Sequence, residues 1–188
     1  MKNISKLCSQ GHTFSSQKII KTSILTLITF CFFHSLLYST NKPDIKIGMS
    51  AAFTGPSKDL GLNLHLGASS YFNYINDKGG INGQKIQLIS YDDGYNPEPA
   101  ILNTVKLIEK DDVDLLFGYV GTPTTTRVLP LLKIYDEKDI LLLFPFTGAE
   151  PQRNHTYDKF VLNLRASYAQ ETGGLVQNFL KIGRKKVG

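Results

Sequence analysis

Cysteine is almost missing from this chain. Both examples, Cys8 and Cys31, fall within the first forty residues. The remainder can form no disulfide, even in an oxidising compartment, and holds neither a cysteine nucleophile nor a cysteine metal site. Acid is missing from the same first forty residues, which carry Lys2, Lys6, Lys18 and Lys21. Removing those four from the 21 basic residues leaves 17 against 16 acids, a balance of +1 in place of the overall +5. A nucleic-acid partner needs a clustered basic face, so none is expected. Arg184-Lys185-Lys186 is short and reads as a solvated turn.

Enzyme fingerprints are missing too. GGINGQ precedes a strand instead of following one and lacks the dinucleotide spacing; no P-loop and no G-x-S-x-G elbow occurs. His65 and His155 are isolated, the first on a helix as a surface or packing residue, the second in a loop. Asp92-Asp93 at a strand end could hold a metal or serve as acid and base, but capping and turn formation is the plainer use. No nucleophile, base and orienting group come together. Neither catalysis nor a cofactor nor a metal is expected.

What is present begins with a leader. Thr22–Asn41 holds no Asp, Glu, Lys or Arg, and its apolar heart runs from Ile24 to Tyr38. Lysines precede it, and Ser39 and Thr40 follow. This order reads as a secretory signal peptide over residues 1–40, with a retained membrane anchor as the alternative. Export to the periplasm or cell surface is the expectation.

Beyond it, strands and helices alternate. IKIGMS (45–50) reads as a buried strand. A helix over 60–77 carries Leu64, Gly67, Ala68, Tyr71, Phe72 and Ile75 on one face and ends at Lys78-Gly79-Gly80. KIQLISY (85–91) alternates as a second strand. Asn96 caps a helix opened by Pro97, with Ile101, Val105 and Ile108 on one side. Strand three is 113–117. A helix to about Tyr135 follows, which Pro130 should end or kink. Strand four is 140–144, strand five 159–163, and a helix spans 168–182. Lys185-Lys186-Val187 looks like the start of a sixth strand. The order predicts an α/β fold, a Rossmann-like, doubly wound, mainly parallel sheet. Ligands bind such sheets outside the carboxyl ends of the strands.

GYVGTPTTT (118–126) lies at such an end, between VDLLF and VLPLL. The first turn of a helix has free N–H groups and a partial positive charge. Thr122 and Thr124 add hydroxyls there, enough to hold a carboxylate with no formal cation. A purely structural use is also open: Thr122 as the cap, Pro123 as the first helical residue, the other threonines on the helix surface. The two uses are compatible.

IKIGMSAAFTGPSKDLG, NDKGGINGQKIQLISYDDGYNP, LLFGYVGTPTTTRVLPLL, PFTGAE and LNLRASYAQET, in that order and spacing, resemble the leucine/isoleucine/valine-binding type of periplasmic substrate-binding protein. The resemblance covers Asp44 to Gly188. It implies two Rossmann-like lobes joined by a hinge, with an amino acid or related small carboxylate bound between them and delivered to an ABC permease. It implies ligand contacts from Gly121, Thr122 and Thr124 after strand three, and from Phe146, Thr147 and Gly148 after strand four. Tyr168 matches a cleft-facing position at the start of lobe two, and Ser50 and Thr54, after strand one, are weaker candidates. Core packing is the plain alternative for Phe146, and helix surface for Tyr168.

Members of that family are much longer than this chain. The resemblance therefore implies that residues 41–163 form an incomplete first lobe and 164–188 the hinge crossing and first segment of the second. The acid that pairs with an ammonium group and the segment that completes lobe one would lie beyond Gly188, which implies impaired binding and exposed apolar surface. A sensory ligand-binding domain of a receptor or regulator, and a non-functional truncated remnant, are the alternatives.

Overall fold

The computed structural model describes residues 42–186. The leader and the last residue of the expected sixth strand, Val187, lie outside the described residues; Lys185 and Lys186 form no strand. Five strands build one sheet: β1 (Ile45–Ala51), β2 (Ile86–Asp92), β3 (Leu115–Phe117), β4 (Leu142–Leu143) and β5 (Val161–Leu162). Their order is β2-β1-β3-β4-β5, and every pairing is parallel. Four helices connect or follow them: α1 (Lys58–Asp77), α2 (Pro97–Glu109), α3 (Thr122–Ile134) and α4 (Tyr168–Lys181). The expected Rossmann-like α/β sheet is present.

β1 explains how the two faces arise. Its side chains alternate, so Met49 and Ala51 point to one face with Leu88, Leu64 and Phe53. Gly48 points to the other, where an added Cβ would meet Leu107 and Leu116 at 3.0–3.2 Å. That second face holds the larger core, in which Ala100, Leu107 and Ile108 of α2 and Val128, Leu129 and Leu132 of α3 pack on Leu116 and Leu142. The buried stripe of α2 is Ala100, Thr104, Leu107 and Ile108. It is rotated from the predicted Ile101–Val105–Ile108 line, since Ile101 and Val105 are only half-buried.

Several boundaries differ from expectation. α1 begins at Lys58, and Tyr71 on its predicted apolar face is 63% exposed. Pro130 lies inside α3 without ending it; it sits on the exposed side, where a lost backbone hydrogen bond is left to water. The predicted strands four and five shrink to two residues each, and a 3-10 turn (Asp158–Phe160) occupies the start of the latter. Asn96 caps α2 as expected, its side chain accepting from the Glu98 N–H at 3.2 Å. His65 packs edge-on against Phe53, and His155 is exposed beside Asp158. Leu162 and Leu164 at the β5 edge are 55% and 78% exposed, and α4 buries none of its residues.

Candidate functional site

The loops after β3 and β4 are drawn together by backbone pairing that outlasts the strands. Val120 and Phe146 form a parallel bridge. The Phe146 N–H donates to the Tyr119 carbonyl at 2.7 Å, and the Gly121 N–H to the Phe146 carbonyl at 3.4 Å. Thr122 and Thr147 follow at once in the two segments. Their hydroxyl oxygens therefore lie 2.7 Å apart. Thr147 is buried, and its hydroxyl also accepts the Ala149 N–H at 3.2 Å. Thr122 opens α3, whose first-turn N–H groups have no partners within the helix. Gly121, not Thr122, is the N-cap residue, and no side chain caps this end. Donors and the positive end of a helix thus converge on one point.

Tyr168 completes the group. Its N–H donates to the Gly148 carbonyl at 2.7 Å, and its hydroxyl stands 3.4 Å from those of Thr122 and Thr147. Hydrogen bonds from Thr122 and then Thr147, with help from the Gly148 backbone N–H and the Arg165 charge, hold the phenol below its ordinary range despite some burial. The two threonine hydroxyls thus act on the phenol as donors to negative charge. Both glycines are needed for the approach. Gly121 has φ 103°, and a side chain there would enter the Tyr95 ring; a Cβ on Gly148 would lie 2.6 Å from the Tyr168 ring. Arg165 lies over the Phe146 and Tyr168 rings, 5.5 and 5.2 Å from their centroids, with its charge paired to Glu171 at 2.8 Å. Phe146, 42% exposed, also lines an open pocket of about 290 Å³ with Asp59, Leu60, Asn63 and Leu64.

The other expected residues do not join this group. Thr124 is fully buried, and its hydroxyl donates back to the Val120 and Gly121 carbonyls at 2.6 and 3.0 Å. A hydroxyl taken by its own helix end cannot also serve a ligand, so only the backbone of Thr124 remains available. Ser50 is fully buried and donates to Asp93 at 2.8 Å. Thr54 donates to Asp92 at 2.6 Å, and Asp92 also accepts the Phe53, Thr54 and Gly94 N–H groups. The two aspartates therefore organise the loops after β1 and β2, the plainer use expected for them. Burial raises Asp93, only partly offset by Ser50 and Tyr95. For Asp92 burial is outweighed by the Thr54 hydroxyl and the three N–H donors, and the carboxyl falls below its usual range.

Tyr95, Leu60, Gln152 and Arg153 were not legible as neighbours of the site. No spacing rule points to them: Tyr95 and Leu60 arrive by tertiary packing, Gln152 and Arg153 by the local 3-10 turn after the loop.

Comparison with known proteins fixes the family. The family model described as "Periplasmic binding protein" matches residues 44–188. The chain belongs to this family. The Leu/Ile/Val/Thr-binding protein of Salmonella typhimurium is 31% identical over 124 residues, 66% of this chain and 33% of that protein. The Leu/Ile/Val-binding protein of Escherichia coli K12 is 32% identical over 106 residues, 56% of this chain and 28% of that protein. A crystal structure described as a possible leucine/isoleucine/valine-binding protein from Rhodopirellula baltica superposes with a TM-score of 0.69 at 33% identity, over 78% of this chain and 38% of that one. The chain thus spans about a third of the length of such relatives.

Proposed function

We propose that this periplasmic binding protein chain is the solute-binding component of an ABC importer, exported by its leader, and that it takes an amino acid or related small carboxylate. The observation that carries the reading is the Thr122–Thr147 hydroxyl pair at the N-terminus of α3. Two hydroxyls 2.7 Å apart satisfy one another only in part, since each keeps a lone hydrogen or lone pair for a third atom. A carboxylate would accept from the one hydroxyl whose proton the pair leaves free and from the free N–H groups of α3. The small residues Gly121 and Gly148 leave room for the Tyr95 and Tyr168 rings that flank the hydroxyl pair. The pocket beside Phe146, with Leu60 and Leu64, offers an apolar wall for the rest of the ligand, and Asp59 and Asn63 its polar atoms. The relatives named for branched-chain amino acids agree in kind.

Calorimetric titration of the 188-residue chain with L-leucine and with leucinamide tests this. The carboxylate should bind and the amide at least about tenfold more weakly, since hydrogen bonds to a charged group contribute about 1.5–3 kcal/mol. Equal binding of the two would remove the carboxylate from the account.

A further inference from the structure

Behind the hydroxyl pair, three consecutive carbonyls each receive a donor from elsewhere in the chain. The Thr147 carbonyl receives Gln152 Nε2 at 3.4 Å, the Gly148 carbonyl the Tyr168 N–H at 2.7 Å, and the Ala149 carbonyl Arg153 Nε at 3.2 Å. Arg153 reaches further. Its Nη2 donates to the Arg165 carbonyl at 2.7 Å. One guanidinium therefore spans two segments that carry the site, the loop after β4 and the crossover into α4. Arg153 is itself half-buried, at the end of a 3-10 turn (Pro151–Arg153) whose neighbour Gln152 is fully buried. The turn's position is thus set by the core, and the fork of Arg153 by the turn.

We infer that Arg153 is the positioning residue of the site, setting the height of Tyr168 above Thr122 and Thr147 by fixing the Ala149 and Arg165 carbonyls to one rigid group. The inference rests on the reading of that hydroxyl group as a carboxylate site. Its physical reason is the shape of the side chain. Guanidinium donors lie in a fixed plane, so two of them fix a distance between their acceptors; a lysine ammonium is a point on a flexible stem and fixes none. Two carbonyl dipoles that face one cation would face each other without it. The crossover would then be tied to the loop by the Tyr168 N–H bond to Gly148 and no longer by Arg153, and the Tyr168 ring would tilt about that bond. The capping box of Ser167 and Gln170 holds the first turn of α4 together but makes no bond to the loop after β4, so it does not replace the brace.

The test needs no ligand in its first arm. The phenol of Tyr168 is titrated by difference ultraviolet absorbance against Tyr168→Phe, which subtracts the other tyrosines. In Arg153→Gln the Tyr168 phenol should titrate at higher pH than in the parent, toward an ordinary tyrosine, because the two threonine contacts loosen. Arg153→Lys should recover only part of the shift. The second arm titrates L-leucine, whose affinity should fall about tenfold in Arg153→Gln. A Tyr168 titration unchanged in both variants overturns the inference. Should Arg153→Gln not fold, Arg153→Lys alone decides it, by whether the Tyr168 titration rises. A shifted titration in a chain that binds no leucine would support the brace and remove the carboxylate reading.

Discussion

The carboxyl edge of the sheet carries two pairs of loops, and both are rich in hydroxyls. After β1 and β2, the hydroxyls of Ser50 and Thr54 meet carboxylates, those of Asp93 and Asp92. After β3 and β4, the hydroxyls of Thr122 and Thr147 meet each other. A hydroxyl that donates to a fixed carboxylate has given its proton away and is part of the scaffold. Two hydroxyls that share one hydrogen bond leave a proton for an incoming anion. The same residue types on the same edge therefore split into a structural pair and the pair proposed above to bind, and the partner decides which is which.

The comparison can be broken in order of effect. Asp93→Ala should cost the most stability, about 2–4 kcal/mol in urea unfolding, because it strands the buried Ser50 hydroxyl and the Tyr95 N–H. A loss below about 1 kcal/mol would show that Asp93 does not organise its loops. Thr122→Val and Thr147→Val should each lower leucine affinity by about tenfold to a hundredfold; Thr122→Val should shift stability by less than about 1 kcal/mol, and Thr147→Val, which strands the buried Ala149 N–H, should cost about 1–3 kcal/mol. Thr54→Val should leave affinity alone and cost about 1 kcal/mol of stability. Loss of affinity in Thr54→Val would merge the two pairs.

The two aspartates also give opposite pH dependences. Asp92 is held below the ordinary carboxylate range, so its contribution is full above about pH 4 and lost as pH falls through its lower folded value. Asp93 is raised, so the folded state binds more protons than the unfolded one from about pH 4 upward to its folded value, and stability falls as pH rises across that window. Asp92→Asn should flatten the acid limb of a stability–pH curve, and Asp93→Asn the decline above it. Curves in which both substitutions flatten the same limb would contradict this assignment.

Much of this was legible in the residues. Alternation of apolar runs with helical periods gave the parallel sheet and put GYVGTPTTT at its carboxyl edge. Asn96-Pro97-Glu98 marked a helix start that the structure keeps. Strands four and five were overlong because an apolar run reports burial, not pairing: Ile140 and Phe160 are buried without belonging to a strand. Side-chain direction at the site was not legible. Thr122 and Thr124 are two residues apart in one motif, yet the turn of α3 aims one at Thr147 and the other back at Val120. Ser50 was a candidate by position alone, and only the approach of Asp93, 43 residues away, assigns its hydroxyl. Tyr95 reaches Gly121 by a contact across the fold, and Arg153 acts through nearby carbonyls, Ala149 and Arg165, that no sequence pattern marks as its partners.

One measurement bears on the central claim most directly: calorimetric titration of L-leucine into the parent chain, Thr122→Val and Thr54→Val side by side. The account predicts an affinity reduced about tenfold or more in Thr122→Val and unchanged in Thr54→Val. Equal affinities in the parent and Thr122→Val, or a loss confined to Thr54→Val, would contradict it.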